Sequence, residues 1–394
     1  MQDFDELAMA LQPHYSHFNV ANRLLFTGHS HQAWPDVAFA GIQEYMRVVA
    51  DRVDTKWDVG FEKTEIMRNY LRDFYDDPDG YYCREQNTHV LLVSWLSCYD
   101  LKNKPKVVTT TGEFHSMSRQ LSRLDEEYLD VVEISHQSDE ELLEGIKTEL
   151  DDKTSAVMVS RIYFETAEVN TKLSEIAAAC RETGVPLMID DYHGTNVVPL
   201  SVRDAGLEDC FILIGGYKYL QWGEANCFLR FPKSFDKRPV ITGWFASFET
   251  LDQPQSGGPV QFDVGDQRFA TATYDPISQF RAAEVVNFFR KQGLTPDVLH
   301  KQYQSQVAYL TELFKDGNKD SYKIERSHHR PIEETGGFLS LKSPHARTLR
   351  ANLLAKGIYT DARDQILRLG PAPYTTSKQC EDVINELFTE AAKL

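Results

Sequence analysis

Val185-Pro-Leu-Met-Ile-Asp-Asp-Tyr-His193 and Ile212-Leu-Ile-Gly-Gly-Tyr-Lys-Tyr-Leu220 are two short apolar runs that each give way to polar residues. Lys218 follows Asp190 by 28 residues, the length of one helix-and-strand excursion in an α/β chain. Apolar runs bounded by glycine or polar residues read as strands buried on both faces. The same rhythm recurs upstream in Val107-Val108, Val131-Val-Glu-Ile134 and Ala156-Val-Met-Val159, with helical spacing over 139–150 and 171–183 between them. In the second of these helices Leu173, Ile176, Ala177 and Cys180 fall at i, i+3, i+4 and i+7, and Gly184 is a natural stop. Strand alternating with helix predicts an α/β fold with a mostly parallel central sheet covered by helices.

Further out, helical spacing covers 36–52 and 62–75 after an irregular start, and Asp76-Asp-Pro-Asp-Gly80 reads as a turn. Composition shifts to Gln, Pro, Ser and Gly around 253–265. Helices are then expected over 279–292, 296–314, 345–356 and 377–393, with a strand near 337–341. The expected organisation is an amino-terminal arm (1–25), a large domain (26–255), a crossover (256–278) and a smaller α+β domain (279–394).

The sequence has 394 residues, 42% hydrophobic and 26% charged, with a formal net charge of −17. That balance opposes nucleic acid and anionic membranes as bulk partners, so any bound phosphate must be held locally. Six scattered cysteines lack a CxxC or a regular framework, consistent with reduced thiols. The start, Met1-Gln-Asp-Phe-Asp-Glu6, has no basic region or apolar core, and no apolar run approaches the roughly 20 residues that span a bilayer. A cytoplasmic enzyme with a small-molecule substrate is expected.

In open α/β sheets ligands lie beyond the carboxyl ends of the strands, where Phe114, Ser160, Asp190 and Lys218 all fall. Pyridoxal 5′-phosphate needs an amine for its aldehyde and a carboxylate that keeps its pyridine nitrogen protonated. Lys218 and Asp190 supply that pair. Ser160-Arg-Ile-Tyr-Phe-Glu-Thr166, Ile189-Asp-Asp-Tyr-His193, Gly216-Tyr-Lys-Tyr-Leu220 and Gly243-Trp-Phe245 also occur in the order and approximate spacing found in kynureninases. The chain therefore resembles that family, within the class V, fold-type I pyridoxal phosphate enzymes, over roughly residues 26–374.

The resemblance implies a role for each matching position. Lys218 would carry the cofactor and move protons at Cα, Asp190 would hold the pyridinium nitrogen, and His193 would lie near the ring. Thr88, beside Asn87 at a helix start, would bind phosphate together with Tyr217, and Ser116 is a further candidate. Phe114 would stack on the ring, and Trp244 would touch the phosphate or a neighbouring subunit's site. Arg368, inside the apolar run Ile366-Leu-Arg-Leu369, would pair with the substrate's α-carboxylate. Most have a plainer alternative: Lys218 as an exposed helix or loop lysine, His193 as a buried structural histidine, Asp190 or Thr88 as a helix cap, Phe114 and Trp244 as packing residues, and Arg368 in an internal ion pair with Asp361 or Glu381.

Two departures fall where the substrate would be read. Phe114-His-Ser-Met117 lacks the family's carboxylate, and Tyr274-Asp-Pro276 puts Tyr274 in place of an asparagine that faces the substrate ring. In Gly28-His-Ser-His-Gln32 the two histidines lack a third ligand at a recognisable spacing, so no metal is expected, and His29 is placed at the active-site entrance. No GxGxxG opens a helix and no Walker loop occurs. The expected activity is hydrolysis of the Cβ–Cγ bond of kynurenine or a related γ-keto amino acid to alanine plus an acid such as anthranilate, in a homodimer. Rivals are a class V aminotransferase, a desulfurase-type lyase disfavoured by the helical setting of Cys380, and a regulator without turnover.

Overall fold

The computed structural model describes residues 2–250 and 258–394. Part of the expected crossover, 256–257, and the boundary at 255 lie outside the described residues. Seven strands form the main sheet, in the order Tyr81–Glu85, Cys227–Phe231, Phe211–Gly215, Leu187–Asp190, Thr154–Ser160, Lys106–Thr110, Asp130–Ile134. Cys227–Phe231 runs antiparallel to both neighbours and the other pairings are parallel.

Alternate side chains along each strand enter opposite cores. Val157, Val159, Leu187, Ile189, Ile212 and Ile214 point to one face, which helices Lys56–Phe74, Asp139–Glu149, Leu173–Thr183 and Ile277–Lys291 cover. Ala156, Met158, Met188, Phe211 and Leu213 point to the other, under Thr88–Leu96 and His115–Asp125. Each fully buried Val, Leu, Ile or Met contributes about 1.5–3 kcal/mol, which is why the central strands carry so little polarity. Gly184 ends its helix at φ 70°, a conformation glycine adopts without strain.

A second, four-stranded antiparallel sheet orders Asp361–Arg363, Ile366–Leu369, Leu339–Lys342 and Glu325–Arg326. Helices Pro296–Gly317, Ala346–Ala355 and Ser377–Ala391 enclose its core. The last starts with a capping box between Thr376 and Gln379. Leu24–Leu25 pairs in parallel with Ile358–Tyr359, Thr27 bridges Gly370, and Phe26 is buried in this second core. Among the described residues no helix is long and apolar enough to cross a membrane.

The structure adds elements that the sequence reading lacked. Asp5–Leu11 is helical where an irregular start was expected, and the third α-helix begins at Lys56 instead of residue 62. The strands Tyr81–Glu85 and Cys227–Phe231 were not anticipated. In the latter, Arg230 is buried because Asp77 accepts from its Nε at 2.7 Å and its Nη2 at 3.1 Å.

Candidate active site

The register aligns Ser160 with Asp190, so these two strands end level, while Phe211–Gly215 runs two residues past the partner of Asp190, Leu213, and the loops that follow open on a common space. That space is a cavity of about 240 Å³. Asn87, Thr88, Phe114, Ser116, Asp190, His193, Tyr217 and Lys218 all line it. Eight residues singled out from the sequence, spread over more than a hundred positions, therefore converge.

Lys218 is 4% exposed, and its Nζ lies 2.7 Å from His193 Nε2. The amine also stands 4.5 Å from the Tyr192 ring centroid and 5.2 Å from that of Phe114. Burial pushes the Lys218 amine down to about 7, with the charge of Asp190 opposing. Burial and the Lys218 charge hold His193 well below its ordinary range, so its ring is neutral at pH 7. A neutral ring that accepts at Nε2 carries its proton on Nδ1.

Asp190 is half-buried at the end of its strand, and its Oδ1 accepts from the Tyr192 N–H at 2.9 Å. Burial raises its carboxyl to about 6, while the Tyr192 hydrogen bond and the Lys218 charge oppose. A cationic ring nitrogen placed there would restore the carboxylate. Asp191, beside it, faces the other way and is fully buried. Its Oδ1 accepts from Arg161 Nε at 2.5 Å and its Oδ2 from Tyr75 OH at 2.7 Å, a structural ion pair.

The helix Thr88–Leu96 aims its N-terminus at the cavity. Asn87 is its cap, accepting from Val90 N–H at 3.0 Å, which leaves Thr88 free of that duty. First-turn N–H groups and a threonine hydroxyl make a local anion site without net charge. Phe114 precedes His115–Asp125 and meets Phe164 edge-on, with centroids 5.2 Å apart. Tyr217 stacks on His31 at 4.8 Å. A buried amine, a half-buried carboxylate, a flanking aromatic ring and a helix start around one cavity fit pyridoxal phosphate.

Four predicted residues do not line this cavity. Trp244 is 44% exposed and donates from Nε1 to Thr273 Oγ1 at 3.2 Å. Tyr274 lies under the Arg84 guanidinium at 4.0 Å and accepts from Gln279 Nε2 at 3.1 Å. Arg368 is buried, donating from Nη1 to the Phe164 carbonyl at 2.5 Å and from Nη2 to Asp361. Of its two plainer partners, Asp361 is the one it meets, whereas Glu381 accepts from Tyr309 OH. His29 is fully buried, not at an exposed entrance, with Nε2 3.7 Å from Asp361 and its ring 4.7 Å from that of Phe338.

Sequence reasoning missed several contributors. Tyr192 forms a wall against Lys218, and its ring fits because residue 215 is glycine: a Cβ there would lie 1.7 Å from Tyr192 Cζ. Tyr192 lies inside the quoted Asp190–His193 motif, so the signal was available. Gln86, Glu224, Ala225 and Cys227 also line the cavity. Glu113 is buried beneath it, accepting from Thr110 Oγ1 at 2.6 Å, Ser160 N–H at 2.9 Å and Ser160 Oγ at 2.6 Å. Its carboxyl is raised to about 7, chiefly by burial.

Residues 302–387 match the kynureninase C-terminal domain family. An uncharacterized aminotransferase of Bacillus subtilis, YcbU, is 22% identical over 341 residues, covering 84% of this chain and 85% of that protein. A kynureninase of Deinococcus radiodurans is 24% identical over 229 residues, covering 56% of this chain and 53% of that protein. In three dimensions the chain is similar to a C-DES variant with glycine covalently linked to its PLP cofactor. The TM-score is 0.80 at 15% identity, covering 95% of this chain and 98% of that one. The cysteine desulfurase CsdA of Escherichia coli aligns with a TM-score of 0.79 at 12% identity, covering 98% of this chain and 99% of that one. These structural likenesses share the expected mixed α/β fold type over nearly the whole chain. In sequence the chain is thus similar to a kynureninase and an aminotransferase and in fold to the C-DES and CsdA structures, a likeness to kynureninase-like class V enzymes of fold type I.

Proposed function

We propose that the chain is a kynureninase-like hydrolase that cleaves the Cβ–Cγ bond of a γ-keto amino acid, releasing alanine and an acid such as anthranilate. The carrying observation is the buried Lys218 amine set against neutral His193, with Asp190 in the same cavity. Pyridoxal phosphate, when bound, supplies an electron sink for the bonds at the amino acid's Cα. Lys218 would hold its aldehyde carbon, and an amine shifted to about 7 is partly free base at neutral pH, able to take a proton from Cα and return it. His193 would accept an N–H of that amine at Nε2 and so orient it. Asp190 would keep the pyridine nitrogen protonated, Phe114 would fix the ring plane, and Thr88, Tyr217, Ser116 and the Thr88–Leu96 helix start would seat the phosphate.

The match over 302–387 and the Deinococcus relative support hydrolysis. The Bacillus relative, matched over a longer stretch, supports transamination as a second reading. A desulfurase would need an accessible thiol beside the substrate. Five of the cysteines do not line the cavity, and Cys227, which does, is buried with its thiol pushed up to about 11 by burial.

The large domain would carry the cofactor and the 279–394 domain Arg368, in a cytoplasmic homodimer. Exposed Val240 and Val260 share a surface depression with Pro239, Pro259, Lys237 and Arg238, and a second subunit seated there would come near Trp244. The test is to titrate the holoenzyme with kynurenine, 3-hydroxykynurenine and common amino acids. Anthranilate plus alanine supports hydrolysis, and a cofactor amine form that reverts only with a keto acid supports transamination. Absence of a borohydride-fixed adduct on Lys218 would refute both.

A further inference from the structure

Arg368 sits one wall behind the cavity, and its charge is felt by both Lys218 and His193. It is 2% exposed and sandwiched between the rings of Phe164 and Phe338, at 5.9 Å and 5.8 Å from their centroids. One Nη donates to the Phe164 carbonyl and the other to Asp361, while Nε is buried without a partner. The Asp361 oxygen that meets Arg368 also lies 3.7 Å from His29 Nε2 and 3.9 Å from Arg363 Nη2. Neither His29 nitrogen has a hydrogen-bond partner. A buried guanidinium, a buried neutral imidazole and one carboxylate therefore form a cluster with unused donors beside the reacting amine.

We propose that Asp361 is a specificity-determining residue that occupies, in the ligand-free protein, the place on Arg368 taken by the α-carboxylate of an amino acid substrate. This rests on the reading of the site as one that binds an amino acid through Lys218. Two carboxylates cannot both hold the Arg368 fork at full strength, because like charges at that separation repel strongly in a dry site. The incoming carboxylate must displace Asp361. The displaced side chain has partners ready: His29 Nε2, which has no hydrogen bond to lose, and Arg363, which is half exposed. Asp361 itself is 16% exposed, at the start of the strand Asp361–Arg363 that pairs with Ile366–Leu369. His29 then acts as a positioning residue that steadies Asp361 in its second place.

The arrangement sets a threshold for binding. A ligand with an amine alone reaches Lys218 without disturbing Asp361, whereas an amino acid must exchange one carboxylate for another. The gain is selectivity: a weaker or badly placed anion does not displace a carboxylate already at hydrogen-bonding distance.

The test compares L-alanine with ethylamine, the same molecule without its carboxylate, by titrating the holoenzyme and following the change in cofactor absorbance. Asp361→Asn keeps the shape and removes the competing charge. The ratio of ethylamine Kd to L-alanine Kd is expected to rise about tenfold or more in the variant. An unchanged or reduced ratio overturns the proposal and makes Asp361 a structural partner of Arg368. If Asp361→Asn does not fold, His29→Leu asks the same question with opposite sign, since removing the second partner should lower that ratio, and an unchanged ratio again overturns the proposal. A wild-type holoenzyme whose absorbance responds to neither amine would instead sink the reading of the site itself.

Discussion

Replacing Glu113 by glutamine should make the protein more stable at pH 8 and leave it unchanged near pH 4.5. Glu113 is 5% exposed and its carboxyl is raised to about 7 from an ordinary 4.5. Between those values the folded protein holds a proton there that the unfolded chain has lost. Stability linked to this group is fully present below pH 4.5, falls as pH rises toward 7, and is gone above it. At about 1.4 kcal/mol per pH unit, that interval is worth about 3 kcal/mol. Glutamine mimics the protonated acid: its Oε1 can accept from Ser160 N–H and Thr110 Oγ1, and its Nε2 can donate to Ser160 Oγ, so the three contacts of Glu113 survive. Urea unfolding of wild type and Glu113→Gln at half-unit steps from pH 4.5 to 8.5 gives the difference directly. It should grow from near zero to about 3 kcal/mol, with most of the change below pH 7. A difference independent of pH, or a variant less stable than wild type at pH 8, would refute the reasoning that burial dominates at this carboxyl.

Arg161→Met should destabilise the large sheet by about 3–5 kcal/mol, because it strands the fully buried Asp191 carboxylate, and thermal unfolding should show the loss at neutral pH. Gly215→Ala places a Cβ inside the Tyr192 ring, so the ring must leave the face it presents to Lys218. A cost of about 1–3 kcal/mol in stability together with weaker cofactor binding is expected, measured by melting temperature and absorbance titration, and full retention of cofactor affinity would show that Tyr192 is not a wall of that site.

The inner parallel strands were legible because both of their faces are buried, which leaves a nearly uninterrupted apolar run in the sequence. Cys227–Phe231 was not, because Arg230 interrupts it, and its partner Asp77 lies in the stretch that reads locally as a turn. Charge neutralisation between residues 153 positions apart leaves no local pattern. The residues that line the cavity were legible for a related reason: they stand just past strand ends or at helix starts, where sequence alone fixes position. Thr88 needed one refinement, since the capping duty belongs to Asn87. Arg368, His29, Tyr274 and Trp244 were named by likeness of motif, which transfers residue identity but not the neighbours that enclose a side chain. Asp361 engaging Arg368, and Phe164 and Phe338 closing over it, are tertiary facts.

The pairing of Leu24–Leu25 with Ile358–Tyr359, continued by the bridge from Thr27 to Gly370, is a strap between distant parts of the sequence. Phe26 is the buckle, buried among Leu339, Leu367 and Leu369. A fragment beginning at residue 279 would leave an open socket where that ring belongs, and would be sticky in solution. Conversely, any swing of the carboxy-terminal sheet relative to the Lys218 loop would pull the early segment along, carrying His29 with Arg368 as one rigid piece.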